Sequence, residues 1–518
     1  MDWQNLLREC GYAHFRPGQK ETLDQLLAGK DVLTLMPTGS GKSFCYLAVA
    51  KLQQMREAAL RLAGEVDLPL TDEDAHQAAG GAVLKPKLSP KAPLVLVISP
   101  LIALMQDQEL KAKQLGLEAS HLSSNLDFDE REKRLRQIRS GRFHVVFVTP
   151  ERLQKENFAQ AVSDRALVLL AVDEAHCVVQ WGHDFRPDYA KIKEFKALAK
   201  PRHYLALTAT ATPQMQLDIV KDLAMKDAKI LKLGLNRPNI SLNVHEAYET
   251  ADKITKLQEL LVEEVPTIVY FSLIKTIYEV VSPLRAKQSS RLLLYHGDLN
   301  PSQRRQNLKQ FLQAKSPLML ATPAFGLGID RPDIRRVIHF ELPGSLESYF
   351  QEVGRAGRDD LPAEGHLLYS EQDILIQMEF LKWAYPDREF MKTLYAKVRD
   401  QHSRLMTAED PLALLREEMS FKNRKDFRID SGLNILERWG ALEKTEDPFP
   451  FKPVQEPDDL QFEREKPEEL LRVQHQRLHG LVKWAQNQES CRMVEILNYF
   501  GSSNEDCGIC DVCRGATA

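Results

Sequence analysis

Ten short, nearly continuous apolar runs, separated by helix-like stretches, set the tightest limit on how this 518-residue chain can fold. Five precede residue 212: "DVLTLMP", "LVLVISP", "HVVFVTP", "ALVLLAVDEA" and "HYLALTATA". Five more lie between 267 and 370: "TIVYF", "RLLLYHG", "PLMLATPA", "RRVIHFELP" and "GHLLYS". A strand that is apolar on both faces must be covered on both faces, as happens in a parallel sheet flanked by helices. Two such sets predict an α/β protein with two tandem parallel-sheet domains, 1–235 and 236–375, joined at "LNRPNIS" (235–241). From 376 the strand pattern stops, which leaves a mainly helical region (376–480) and a cysteine-rich end (481–518). At about 150 residues per domain, this length also calls for several units.

The stretch 54–93 is rich in Ala, Pro, Gly and charge without a sustained period, and is expected to be a mobile loop inserted in the first domain. Within 376–480, "DPLALLREEMSFKNRKDFRIDSGLNILERWGALEKTED" reads as a short helix, a basic link, a second helix ending at Gly440 and a strand. That order suggests a winged helix-turn-helix between about 388 and 455, with "FPFKPVQEPDDLQFE" (449–463) as a candidate wing. A helical hairpin that only packs is the alternative.

With 43% apolar and 27% charged residues, the composition is that of an ordinary globular protein. The run "ALVLLAV" (166–172) is far short of the roughly 20 residues that cross a bilayer, and "MDWQNLLREC" lacks a signal pattern. The expected location is intracellular, in the cytoplasm or nucleoid if the source is bacterial, with no membrane partner. A net charge of −4 means that any nucleic-acid surface is local. The candidates are "REKRLRQIRSGR" (131–142) and "KNRKDFR" (422–428), each of which also reads as a solvated helix face.

The chemistry is concentrated in four places. In "LMPTGSGKS" (35–43), between a strand and a helix, Thr38, Gly39, Ser40 and Gly41 can wrap a phosphate with backbone N–H groups. Lys42 would then reach the β and γ phosphates and Ser43 would ligate Mg²⁺, although Met36 stands where the full pattern has its first glycine. Asp173 and Glu174 end a buried strand, where an acid linked to Mg²⁺ and a water-orienting base are expected, or mere caps. In "QEVGRAGR", Arg355 and Arg358 are three apart, on one face if the segment is helical, and could reach a γ-phosphate across a cleft or form a surface ion pair.

The fourth place is Cys491-x15-Cys507-x2-Cys510-x2-Cys513, whose spacing suits a tetrahedral Zn²⁺ site, with an iron–sulfur cluster as competitor. Immediately after the acids come Gln180, Trp181, Phe185 and Arg186. An aromatic face can stack any base, and an arginine adds a phosphate or cation–π contact; a buried core pair is the alternative.

Taken in order, "FRPGQ" (15–19), "PTGSGKS", "ISPLIALMQDQ", "VTPERL", "DEAHCVVQWGHDFRPDY", "LTATAT", "YHGDLNPSQR", "ATPAFGLGIDRPD" and "QEVGRAGRD" resemble a superfamily 2 helicase. The Trp-Gly-His-Asp-Phe-Arg extension, and "CRMVEILNYFG" followed by "CGICDVC", resemble the RecQ family of DNA helicases. The resemblance implies ATP, Mg²⁺ and Zn²⁺ as cofactors and adenine contacts from Tyr12, Arg16 and Gln19. It implies that His176 links the hydrolytic acids to Thr208 and Thr210, which couple the domains, and that 180–187 senses single-stranded DNA. It further implies 3′ to 5′ unwinding in repair or recombination by a monomer, on single-stranded and forked DNA, with a single-strand-binding protein and recombination factors as partners. Against the usual order, the candidate winged helix precedes the cysteines. Two other readings remain: an RNA-dependent ATPase, and a nucleotide-gated DNA-binding module that unwinds little.

Overall fold

Strands β1 (Val32–Leu35), β2 (Pro93–Ile98), β3 (Ala119–Leu122), β4 (Val145–Val148), β5 (Ala166–Val172), β6 (His203–Thr208) and β7 (Lys229–Lys232) form one parallel sheet in the order β3-β4-β2-β5-β6-β1-β7. This computed structural model describes residues 2–37, 39–62, 92–123, 126–179, 187–326, 331–419, 428–445, 447–465 and 467–515. Alternation along the strands explains the apolar runs. Leu33, Leu96, Leu170 and Val172 enter the core on one face, while Val32, Val97, Leu169 and Leu205 enter that on the other.

A second parallel sheet combines β8 (Ile240–Glu246), β9 (Thr267–Tyr270), β10 (Leu292–Tyr295), β11 (Leu318–Ala321), β12 (Arg336–His339) and β13 (Ala363–Tyr369) in the order β10-β11-β9-β12-β13-β8. It is buried on both faces in the same way: Ile268, Met319 and Val337 on one, Val269, Leu320 and Ile338 on the other. Each sheet therefore presents its strand C-termini, and the loops that follow them, along one edge, where ligands bind in open α/β sheets.

Three strands escape a reading based on apolar runs, β3 ("ASHL"), β7 ("KILK") and β8 ("ISLNVHE"), and all three are edge strands. The stretch 54–93 is not a loop throughout, because the helix that follows the phosphate-loop candidate runs from Lys42 to Leu62. Residues 63–91 lie outside the described residues.

Helices Arg388–Asp400, His402–Thr407, Pro411–Met419 and Arg428–Arg438 precede an antiparallel hairpin of β14 (Leu442–Lys444) and β15 (Phe451–Pro453). Met391, Leu394, Leu433, Leu436, Phe449 and Phe451 give this unit its own core. Helices followed by a two-stranded hairpin match the order of elements expected of a winged helix, and the hairpin adds strands to what a helical hairpin alone would have. The wing itself is β14–β15; the proposed 449–463 segment supplies β15 but then turns into the helix Asp459–Glu465. Helices Gln372–Ala384 and Pro467–Gln486, which flank the unit in sequence, pack on each other. The winged unit is thus an insertion in the platform that carries the cysteines.

Candidate functional site: a cleft between the two sheets and a four-thiol cluster

The loop after β1 is gripped from the N-terminal segment. Arg16 Nη1 donates to the Gly39 carbonyl (2.7 Å), and Gln19 Nε2 donates to the Gly41 carbonyl (3.1 Å). Gln19 also accepts from the Arg16 backbone N–H at 2.9 Å. Both side chains expected at adenine therefore hold the phosphate loop, while Tyr12 stays half exposed with its ring 5.0 Å from Phe44 in an edge contact. Phe44 escaped the sequence reading although it directly follows Ser43. At the position of the usual glycine, the Met36 side chain is fully buried in the core, and its carbonyl accepts from Lys42 Nζ at 3.2 Å. Ser40 Oγ closes the turn by donating to the Pro37 carbonyl (2.8 Å). Thr38 lies outside the described residues.

Asp173 and Glu174 follow β5 and are 6% and 9% exposed. Burial, and then the neighbouring Glu174, pushes the Asp173 carboxyl up from its ordinary range, with Lys42 pulling the other way. Glu174 has φ +48°, a left-handed conformation that costs a non-glycine residue about 1–3 kcal/mol. Its N–H donates to Asp173 Oδ1 (3.1 Å). His176 Nδ1 lies 2.9 Å from Thr208 Oγ1 and 3.4 Å from Glu174 Oε2. The Thr208 hydroxyl also lies 3.1 Å from the Thr210 carbonyl and accepts from the Thr210 N–H at 3.3 Å, so it joins His176 to the segment that follows β6.

The second sheet supplies the opposite wall. The helix Leu346–Val353 ends at Gly354, so Arg355 and Arg358 do not share a helical face as the spacing suggested; they sit in the turns that follow. Arg355 is 4% exposed and donates to the Gly326 carbonyl. Arg358 crosses to the first domain: a Cβ placed on Gly39 would lie 2.6 Å from Arg358 Cδ. The turn from Gly354 to Gly357 is held by its backbone carbonyls. Buried Arg237 donates to the carbonyls of Gly354 (2.9 Å), Ala356 (2.7 Å) and Gly357 (2.9 Å), and Asn239 donates to Gly357 (2.8 Å). Both donors come from the 235–241 junction, and no local spacing marks them.

Between these walls lies a cleft of about 560 Å³ lined by Gly41, Lys42, Ser43, Asp173, Glu174 and Arg358, among others. Gln180, Trp181, Phe185 and Arg186 lie outside the described residues.

A second cluster lies in the C-terminal element. The Sγ atoms of Cys491, Cys507, Cys510 and Cys513 are all within 4.8 Å of one another. Backbone N–H groups of Cys507, Cys510 and Cys513 point at the sulfurs of Cys491 (3.2 Å), Cys507 (3.3 Å) and Cys510 (3.4 Å). Four convergent sulfurs with N–H···S bonds fit a closed structural Zn²⁺ site. Among the described residues no helix is long and apolar enough to cross a membrane.

Family descriptions match in order: DEAD/DEAH box helicase over residues 16–218, helicase conserved C-terminal domain over 252–360, and RecQ zinc-binding over 455–514. The probable ATP-dependent DNA helicase RecS of Bacillus subtilis is 35% identical over 381 residues, covering 73% of this chain and 69% of that protein. The ATP-dependent DNA helicase RecQ of Pasteurella multocida is 35% identical over 363 residues, 70% of this chain but 51% of that protein. This chain thus spans about half the length of that RecQ. Among solved structures, S. cerevisiae Dbp5 bound to RNA and ADP BeF3 aligns with a TM-score of 0.51 at 16% identity, over 73% of this chain and 89% of that one. At that identity the likeness is one of fold.

Proposed function

The chain belongs to the RecQ family of helicases, and on that basis we propose that it hydrolyses ATP in the cleft and spends the cycle on moving 3′ to 5′ along one DNA strand, opening duplexes in repair or recombination. The observation that carries this reading is that Lys42, Asp173 and Glu174 of the first domain face Arg355 and Arg358 of the second across one cleft. Lys42 and the backbone of the phosphate loop bind the triphosphate. Glu174 orients the attacking water. His176, through Thr208, ties that acid to the segment 208–212. Arg355 and Arg358 stabilise charge on the transferring phosphoryl group when the cleft closes, a contribution worth roughly 10³ to 10⁵ in rate where measured in GTPases.

Mg²⁺ fits the donor set, since a buried Asp173 whose ionised form is disfavoured gains most from an adjacent cation. Ser43 and Asp173 would hold the ion, which screens phosphate charge when bound. The aromatic–basic stretch 180–187 is the element of this reading that engages single-stranded DNA. Opening each base pair forfeits stacking of about 1.4 kcal/mol, so unwinding draws on hydrolysis.

The test is ATP hydrolysis with and without a single-stranded DNA oligonucleotide, for wild type and Trp181→Ala, alongside strand displacement on a tailed duplex. The reading expects strong stimulation of the wild type, displacement that requires ATP, and a variant that binds DNA without being stimulated. Stimulation by RNA in place of DNA would favour the RNA-dependent ATPase, and stimulation without displacement the nucleotide-gated binding module.

A further inference from the structure

Gln216 is 2% exposed in the first turn of the helix Pro213–Asp222, and its carboxamide has two N–H donors to place. Nε2 donates to the Ala211 carbonyl at 2.8 Å and to the Phe500 carbonyl at 3.2 Å. The first acceptor belongs to the threonine segment whose Thr208 holds His176. The second caps the helix Arg492–Tyr499 of the zinc-binding element, 284 residues away. Beside it, Lys232 Nζ donates to the Gly501 carbonyl (2.7 Å), and a Cβ on Gly501 would lie 2.7 Å from Pro213 Cγ.

The zinc-binding element itself rides on the second domain. The Asp511 N–H donates to the Leu242 carbonyl (3.0 Å) and the Val244 N–H to the Asp511 carboxylate (2.9 Å), so the cysteine loop is docked on edge strand β8. Arg492 secures Asp511 at 3.0 and 3.2 Å. The same element grips the helix that leads into Arg355 and Arg358. The Tyr499 hydroxyl donates to Glu347 (2.8 Å), Trp484 packs on Tyr349 with centroids 4.6 Å apart, and Phe500 lies 5.5 Å from Phe350.

We propose that Gln216 is a positioning residue: through the Phe500 carbonyl it couples the first domain's threonine segment to the zinc-binding element, holding both walls of the cleft in register while Arg358 rests on Gly39. This inference rests on the ATPase reading above, in which the two domains open and close. Bonds internal to a domain are unchanged by that motion, whereas Gln216–Phe500 and Lys232–Gly501 join parts that separate. Each shifts the open–closed balance by about five-fold, the factor of one net hydrogen bond.

The experiment is steady-state ATP hydrolysis by the full, zinc-loaded chain, with oligothymidylate as the DNA probe, for wild type, Gln216→Met, Gly501→Ala and the double variant. Gln216→Met keeps the volume and removes both donors; Gly501→Ala wedges the same contact from the other side. The expected result is a drop of about five-fold in DNA-stimulated kcat for Gln216→Met, with KM for ATP and bound zinc unchanged. Non-additivity is expected too, with the double variant no slower than Gly501→Ala alone. A wild-type kcat in Gln216→Met, or effects that multiply, would overturn the coupling. If Gln216→Met fails to fold or loses zinc, Lys232→Ala decides: reduced kcat supports the coupling and wild-type kcat sinks it. A wild-type protein that does not hydrolyse ATP with or without DNA overturns the ATPase reading and this inference together, whereas an active wild type with unaffected variants overturns the coupling alone.

Discussion

Gly357→Ala is expected to be among the most damaging single-methyl additions in the second domain. Gly357 has φ +55°, a region that costs an L-residue about 1–2 kcal/mol. A Cβ there would also meet Asn239 Nδ2, the Leu361 carbonyl at 2.9 Å and Ala363 Cβ at 3.0 Å. Asn239 can swing away only by giving up its bonds to the Gly357 and Leu361 carbonyls, and the Leu361 carbonyl is backbone. Overpacking of this kind costs about 1–3 kcal/mol, partly offset by about 0.4–1 kcal/mol from a stiffer unfolded chain. The net expectation is a loss of about 1–5 kcal/mol.

Because Arg237 and Asn239 hold this turn by its carbonyls, relief of the strain displaces Arg358 and Arg355, and a misplacement of about 1 Å can cost on the order of 10² in rate. Urea denaturation followed by far-UV circular dichroism gives the stability, and saturating ATP with DNA gives kcat. Gly297→Ala serves as the stability control, since its Cβ would meet nothing within 4 Å and it is not among the positive-φ residues. Wild-type stability together with wild-type kcat in Gly357→Ala would refute the argument that this turn is held by close packing around its glycine.

Three further outcomes are expected. Thr208→Val, isosteric at a fully buried site, strips His176 and Thr210 of their shared partner; it should cost about 1–3 kcal/mol in denaturant melts and lower DNA-stimulated kcat while leaving KM for ATP near wild type. Chelation of zinc, or Cys510→Ser at a fully buried sulfur, should abolish bound zinc by elemental analysis and raise proteolysis of the C-terminal element, since closed zinc sites contribute folding energy outright. Burial, then its neighbour His366 at 3.0 Å, pushes His245 down to about 4. A depressed histidine binds its proton in the unfolded chain first, so stability falls on acidification between about pH 6.5 and 4, by at most about 1.4 kcal/mol per pH unit for each such group. His245→Asn should flatten that slope in melts at stepped pH, and an unchanged slope would remove His245 from the explanation.

What could be read from sequence, and what could not, follows from the range over which each feature is determined. Central strands announce themselves because both faces are covered, so every residue of "VLVI" or "VVFV" must be apolar. Edge strands β3, β7 and β8 carry no such demand, and "KILK" is paired on one side only. Phosphate-loop, acid-pair and cysteine spacings are legible because chemistry fixes them within one turn of chain. The arginine segment shows the limit of that logic, for a spacing of three suggested one helical face, yet the helix stops at Val353 and docking by Arg237, from over a hundred residues earlier, shapes the turn. The winged unit was legible as an order of elements, but its hairpin closes earlier than the proline-rich stretch suggested, at Leu442–Lys444 and Phe451–Pro453.

Gln216 lies at the far end of the same scale. On a helical pattern it is one polar residue beside an apolar face, with nothing to distinguish it from a solvated glutamine. Its meaning depends on a carbonyl 284 residues away, brought near by a cysteine cluster docked on the edge of the other sheet. A hydrogen bond of that kind leaves no periodicity and no motif, since backbone carbonyls accept regardless of side chain. The coupling between the two domains is therefore written where a sequence is least readable, in side-chain donors aimed at the backbone of another domain. Substitutions that conserve volume and delete only the donor are the perturbations that will expose it.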